Sequence, residues 1–372
     1  MPLSVRNAYQ AIRATGSDLE SLLEAAGTLR DQFKGRTVTY SRKIFLPITN
    51  LCRDRCSYCT FRKDPGDPDA WTMSPPEIDD VLARGAQQGC KEALMCLGDR
   101  PEAAFPQYRK TLAELGHRTT AEYVARACEM ALERGFLPHT NAGVLSLDEM
   151  KLLKPVNASL GLMLEDVSVR LSRKGMPHFS APDKLPSVRL RMIREAGELS
   201  IAFTTGILIG IGETPEERVD SLMAIRQLHE EYGHIQEVII QNFRAKPGTR
   251  MEGCNEPGSV DIARTVATAR LVLGGCMNIQ VPPNLNPNDH ALLLRAGIND
   301  WGGISPVTRD YVNPEAAWPH VDNLAETCRR AGFTLRERLA TYDDFLDQPG
   351  FMPPRLRAVA AARQSEIVQA PL

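Results

Sequence analysis

Eight short apolar runs alternate with longer amphipathic stretches in this chain, and that alternation narrows the possible folds more than any other feature. The runs cover 43–48, 92–96, 137–141, 156–164, 202–209, 237–242 and 278–281, with a weaker one near Ile298. Between them, helical periodicity spans 78–88, 121–134, 186–196, 215–231, 260–273 and 319–331. Four helix starts are marked by capping boxes: Ser74-Pro-Pro-Glu77, Thr119-Thr-Ala-Glu122, Ser146-Leu-Asp-Glu149 and Thr214-Pro-Glu-Glu217. Strands that alternate with helices read as parallel βαβ units. An open doubly wound sheet would want a glycine-rich phosphate turn after its first strand. Cysteines occupy that turn here. The expectation is therefore α/β: a closed (β/α)8 barrel of the TIM type, with its chemistry at the C-terminal ends of the strands.

The 372 residues exceed a minimal barrel. Residues 1–37 read as an N-terminal helical extension that covers the barrel, its second helix capped by Ser17-Asp-Leu-Glu20. The barrel spans 38–332. Residues 333–372 form a C-terminal extension: 333–342 suits an extra strand or a helix end, and 349–372, rich in Pro, Ala and Arg, reads as a fraying tail. No repeat or linker divides the chain, so one structural domain is expected.

Net charge is −2, with both signs spread evenly, which argues against a nucleic-acid surface or a polybasic membrane patch. No window is apolar enough to span a bilayer, and residues 1–16 lack the apolar core of a signal peptide. Nine cysteines without a disulfide framework imply a reducing, cytoplasmic setting.

Three of those cysteines, Cys52, Cys56 and Cys59, fall in one short loop after the first strand. Three thiolates can hold three irons of one [4Fe–4S] cluster and leave the fourth open to a cosubstrate. The alternative is zinc. A closed zinc site wants four ligands, usually as two pairs. Only Cys56 and Cys59 have pair spacing, which leaves a zinc-stapled binding module as the rival of another class. Cys90, Cys96, Cys128, Cys254, Cys276 and Cys328 have no ligand spacing and read as small buried residues.

Other candidates sit at strand ends. The loop 60–72 is long enough to cover the barrel mouth. Gly98 and Asp99 follow the second strand, His139 and Asn141 close the third, and Glu165 ends the fourth. Strand five carries Gly206, Gly210 and Gly212, which weaken a strand unless something needs the space. Thr204, Thr205, Gln241, Asn242, Asn284 and Asn286 suit a neutral, hydroxyl-rich or heterocyclic substrate. Arg189 alone reads as a surface residue on a helix.

Cys52-x3-Cys56-x2-Cys59 with Tyr58 resembles the signature of radical S-adenosylmethionine (SAM) enzymes. Gly206-x-Leu-x-Gly210-x-x-Glu213 resembles the strand-five motif of their biotin-synthase-like branch, and Gly98-Asp99 stands where that branch has a Gly-Gly-Glu type turn. Segments 41–62, 97–102, 141–145 and 301–306 are similar to the 7,8-didemethyl-8-hydroxy-5-deazariboflavin synthase subunits of deazaflavin coenzyme biosynthesis. The resemblance implies a lyase with one [4Fe–4S] cluster on the three cysteines and SAM as cosubstrate. It implies that Tyr58 contacts adenine, Asp99 the SAM amino group, Glu165 the ribose and Arg189 the SAM carboxylate, with Gly98 and Gly210 also at the cofactor. It implies a small-molecule substrate made by a separate radical SAM partner enzyme, because only one cysteine motif is present, and an external electron donor. Tyrosine–diaminouracil coupling and futalosine cyclisation are the neighbouring reactions to separate from this one.

Overall fold

A computed structural model describes residues 2–369 of the chain. Its strands are β1 (Thr37–Pro47), β2 (Glu92–Cys96), β3 (Leu137–Asn141), β4 (Ser159–Gly161), β5 (Phe203–Ile209), β6 (Ile235–Asn242), β7 (Asn278–Gln280), β8 (Asp300–Ile304) and β9 (Thr334–Glu337). All pairings between these strands are parallel. The order runs β2 to β8, then β1, and β1 pairs again with β2, which closes the barrel. The first eight strands are thus the staves of a (β/α)8 barrel.

The expected runs fall on these strands to within about two residues, β8 beginning at Asp300 just past Ile298, with two larger shifts. β1 starts six residues before the apolar run does, because Thr37–Tyr40 pairs with β9 and needs no apolar side chains to do so. β4 keeps only the middle of 156–164: Lys154–Val156 is a 3-10 turn, and Glu165, at φ +66°, breaks the extended chain. Capping boxes form at Ser146 and Thr214, and the Thr119 hydroxyl accepts from the Glu122 amide. The Gly16–Lys34 helix is an exception. Its N-cap is Thr15, so Ser17 already lies inside the helix.

Branched and aromatic side chains from the strands pack outward against the helices, with Ile44, Leu46, Phe203, Val238 and Ile279 fully buried. The N-terminal helices Val5–Ala11 and Gly16–Lys34 cover the side of the barrel, against Pro215–Tyr232 and Ser259–Leu273.

The floor of the barrel is closed by the other terminus. After β9 the chain crosses under the strands: the Thr341 hydroxyl donates to Ala158 O at 2.8 Å, and Ala340 O accepts from Ser159 Oγ and Gln236 Nε2. The segment expected to fray is instead ordered as the helix Pro354–Gln369. Leu356 and Ala360 bury its inner face, and Arg363 Nε donates to Gly135 O at 2.7 Å. Only residues 370–372 of that tail lie outside the described residues. No described helix is long and apolar enough to cross a membrane.

Candidate active site

The cysteine loop leaves the C-terminal end of β1 and is tied down by backbone hydrogen bonds from three directions. Arg53 N donates to Asp99 O at 3.0 Å, beyond β2. Arg55 N and Ser57 N donate to Ser180 O and Pro177 O, in the segment after β4. Met251 N, beyond β6, donates to Ser57 O at 3.2 Å. A tight turn from Cys59 N to Cys56 O completes the loop. Such anchoring sets the thiol positions before anything binds, at the strand ends where barrels place their chemistry.

Cys52, Cys56 and Cys59 are free thiols and line a single cavity of about 360 Å³ that runs into the barrel. Cys52 Sγ accepts the Asp99 amide at 3.0 Å. That approach depends on Gly98, where an added Cβ would stand 2.1 Å from Leu51 O. Burial pushes the Cys56 thiol up to about 12, and raises Cys52 further.

Tyr58, Gly98, Asp99, Glu165 and Arg189 line the same cavity, so the structure brings five of the six predicted cofactor residues to the cysteines. Tyr58 Oη shares a 3.0 Å hydrogen bond with His178 Nε2 and packs against Leu171, Leu208 and Phe243. The Asp99 carboxylate accepts from Val144 N at 3.1 Å. Burial, and then the neighbouring Asp183, raise its pKa well above the usual carboxylate range, against the pull of Arg189. Arg189 is not on the surface. It is buried, its Nε donates to Asp183 O at 2.9 Å, and its Nη1 donates to Met163 O.

Glu165 is paired with Lys184. Burial alone would raise its carboxyl, but Lys184 and Arg189 hold it below its ordinary value. Its left-handed backbone is strained for a residue with a side chain, and such strain clusters at functional sites. Its carbonyl accepts Leu208 N at 3.0 Å, which locks the turn onto β5.

Gly210 does not line the cavity. At φ +92° it forms a turn whose amide, with that of Ile211, donates to the Glu213 carboxylate at 2.6 and 2.8 Å. Arg218 holds the same carboxylate at 2.8 Å. Gly206 serves strand packing: an added Cβ would stand 2.2 Å from Ile239 O on β6.

The other expectations divide. Asn141, His139, Thr204 and Gln241 line the cavity, as do Phe61 and Arg62 of the loop 60–72. Thr205, Asn242, Asn284 and Asn286 do not; Asn242 and Asn286 are bonded to each other at 2.8 Å. Cys254 and Cys276 are exposed rather than buried. Lys184, Asp54 and Asp183 went unpredicted. Asp54, Asp99 and Asp183 place carboxylate oxygens within 4.8 Å of one another, and Asp54 Oδ2 is buried without a partner.

The Radical SAM superfamily matches residues 46–225. Methylornithine synthase superposes with a TM-score of 0.71 over 90% of this chain and 94% of its own, at 18% identity, which supports the fold alone. The 7,8-didemethyl-8-hydroxy-5-deazariboflavin synthase of Methanopyrus kandleri is 50% identical over 310 residues, covering 83% of this chain and 92% of that protein. This chain belongs to the deazariboflavin synthase family of radical SAM proteins. The FO synthase of Mycobacterium tuberculosis is 48% identical over 378 residues, 97% of this chain, but the chain spans only 44% of that longer protein.

Radical SAM proteins use a [4Fe–4S] cluster and SAM. The donor set of this deazariboflavin synthase relative fits them. Three unpaired thiols share one cavity, and a backbone amide already serves one of them. Cys52 and Cys56, held protonated by burial, become ligands only when a metal centre displaces their protons. Arg189 offers a cation, and Asp99 and the orphaned Asp54 oxygen offer acceptors, to an amino acid group beside them.

Proposed function

We propose that this chain converts 5-amino-5-(4-hydroxybenzyl)-6-(D-ribitylimino)-5,6-dihydrouracil to 7,8-didemethyl-8-hydroxy-5-deazariboflavin, releasing ammonia, 5′-deoxyadenosine and methionine. The observation that carries this reading is the half-identity to the Methanopyrus kandleri protein over nearly all of that protein's length, with the three cysteines at the mouth of the barrel cavity.

Cys52, Cys56 and Cys59 would hold the cluster, leaving one iron open. When bound and reduced, the cluster and SAM supply a 5′-deoxyadenosyl radical. The chain's own residues bind, orient and exclude water. Arg189 is oriented by two backbone carbonyls and turned toward the SAM carboxylate. Asp99 and Asp54 receive the amino group. Glu165, kept ionised by Lys184, accepts from the ribose hydroxyls. Tyr58 meets adenine through its backbone, while its hydroxyl is occupied by His178. Gly210 acts at a distance, by shaping the β5 exit. The walls of the cavity keep solvent from a reactive species, the service a protein supplies when a cofactor carries the hard chemistry.

The substrate would come from a separate radical SAM enzyme that couples tyrosine to the uracil, and electrons from an external donor. A cytoplasmic location fits both. The test is an anaerobic assay for 5′-deoxyadenosine with reconstituted, reduced protein. Deoxyadenosine and deazaflavin formed only with the tyrosine–uracil adduct support the reading. Deoxyadenosine formed instead with tyrosine plus diaminouracil overturns it in favour of the coupling reaction.

A further inference from the structure

A closed parallel barrel is ordinarily filled with branched apolar side chains. The cavity here ends instead on charged and polar ones: Lys43, Glu92, His139, Glu237, Gln280 and Arg338. Their charges are paired within the floor, two cations against three carboxylates. Lys43 Nζ meets Glu92 at 2.6 Å. Arg338, brought under the barrel by the segment after β9, meets Asp300 at 2.6 Å and Glu237 at 2.9 Å.

What stays unspent is neutral hydrogen-bonding capacity. The Gln280 amide makes no hydrogen bond among the described residues. His139 uses Nδ1 on Ser159 Oγ at 2.6 Å and leaves Nε2 free to face the cavity. Burial pushes this imidazole down to about 4, so it is neutral. Lys43 bonds one acceptor with three donors to give.

Glycines make the room. An added Cβ at Gly302 would stand 2.0 Å from the Gln280 amide, at Gly303 2.2 Å from the Lys43 chain, and at Gly161 2.9 Å from His139 Nε2. The Gly-Gly pair in β8 is thereby explained as space for two polar side chains.

We propose that this floor is a specificity subsite for the hydroxyl-bearing chain of the substrate, read by Gln280, His139 and Lys43. It rests on the deazaflavin reading above and deepens it. Both cations are held by carboxylates, and burial drives the third carboxylate, Glu237, toward its neutral form, so the floor has no spare charge for an anion and little for a cation. It presents donors and acceptors together, which a hydroxyl answers because it is both. The floor lies inside the barrel, below the strand ends that carry the cysteine loop, so a chain anchored there directs the ring system toward the mouth.

The test uses two probes: 7,8-didemethyl-8-hydroxy-5-deazariboflavin, and the same deazaflavin with an n-pentyl group replacing ribityl. Each is titrated by fluorescence into reconstituted protein holding methionine and 5′-deoxyadenosine. The ribityl form should bind at least about 100-fold more tightly, since a site built for hydroxyls rejects an analogue lacking them. Gln280→Leu should cut that ratio roughly tenfold, by weakening the ribityl form. Equal affinities in the unmutated protein, or an unchanged ratio in a folded Gln280→Leu protein, overturn the subsite and leave the deazaflavin reading standing. Binding of neither probe overturns both. The ratio in the unmutated protein decides the matter even where the variant does not fold.

Discussion

Arg189 Nη2 approaches the Asp99 carboxylate at 3.8 Å, with both side chains buried beside the cysteine loop. The two come from different βα units, yet they meet where an amino acid group would need a cation and an acceptor side by side.

Arg189→Ala should therefore weaken SAM binding by about 1.5–3 kcal/mol, the range for a hydrogen bond to a charged group. Isothermal titration of cluster-loaded protein measures it. An unchanged dissociation constant removes Arg189 from the site.

Lys184 is the close ionic partner of the buried Glu165. Breaking such a pair from one side strands a charge, at a cost of about 3–5 kcal/mol. Urea denaturation of Lys184→Met should show a loss of that order, and adding Glu165→Gln should restore most of it. A single variant as stable as the parent would show that Glu165 is not held by this partner.

These two residues also mark where the sequence stops being legible. The barrel was readable because period-2 and period-3.6 patterns alternate, and the cysteine loop because its spacing is chemical. Arg189 reads as exposed because it sits on a helix whose pattern does not reveal what covers it. Lys184 lies in the three-residue 3-10 turn Pro182–Lys184, which has no periodicity to read. Arg338 lies 101 residues in sequence from Glu237, and only the crossing under the barrel joins them. Thr205 and Asn242 misled for a different reason: a polar residue at a strand end faces the cavity only if its alternation puts it there.

Gly206 is a matter of packing. Gly206→Ala would press a methyl onto the Ile239 carbonyl, 2.2 Å away. Overpacking of this kind costs about 1–3 kcal/mol. The urea midpoint of the variant should fall accordingly; an unchanged midpoint would mean that β5 and β6 can separate freely.

Asp166 gives a pH signature away from the cysteines. It is buried, accepts Ser168 N at 2.6 Å, and burial pushes its carboxyl up to about 7. The unfolded value is about 3.9. Between those values the folded chain keeps a proton that the unfolded chain has lost, so this group lowers stability as pH rises through that window. Asp166→Asn keeps the acceptor and removes the titration. It should gain on the order of 4 kcal/mol over the parent at pH 8 and close to nothing at pH 4. The same gain at both pH values would contradict the assignment.

The central claim is a cluster on Cys52, Cys56 and Cys59 with one iron left open for SAM. The direct measurement is iron and sulfide analysis of anaerobically reconstituted protein, followed by electron paramagnetic resonance of the reduced form with and without SAM. The account predicts about four irons and four sulfides per chain, a signal that SAM perturbs, and loss of both in the three Cys→Ala variants with the barrel still folded. A zinc-loaded, colourless protein, or a cluster whose signal ignores SAM, would contradict it.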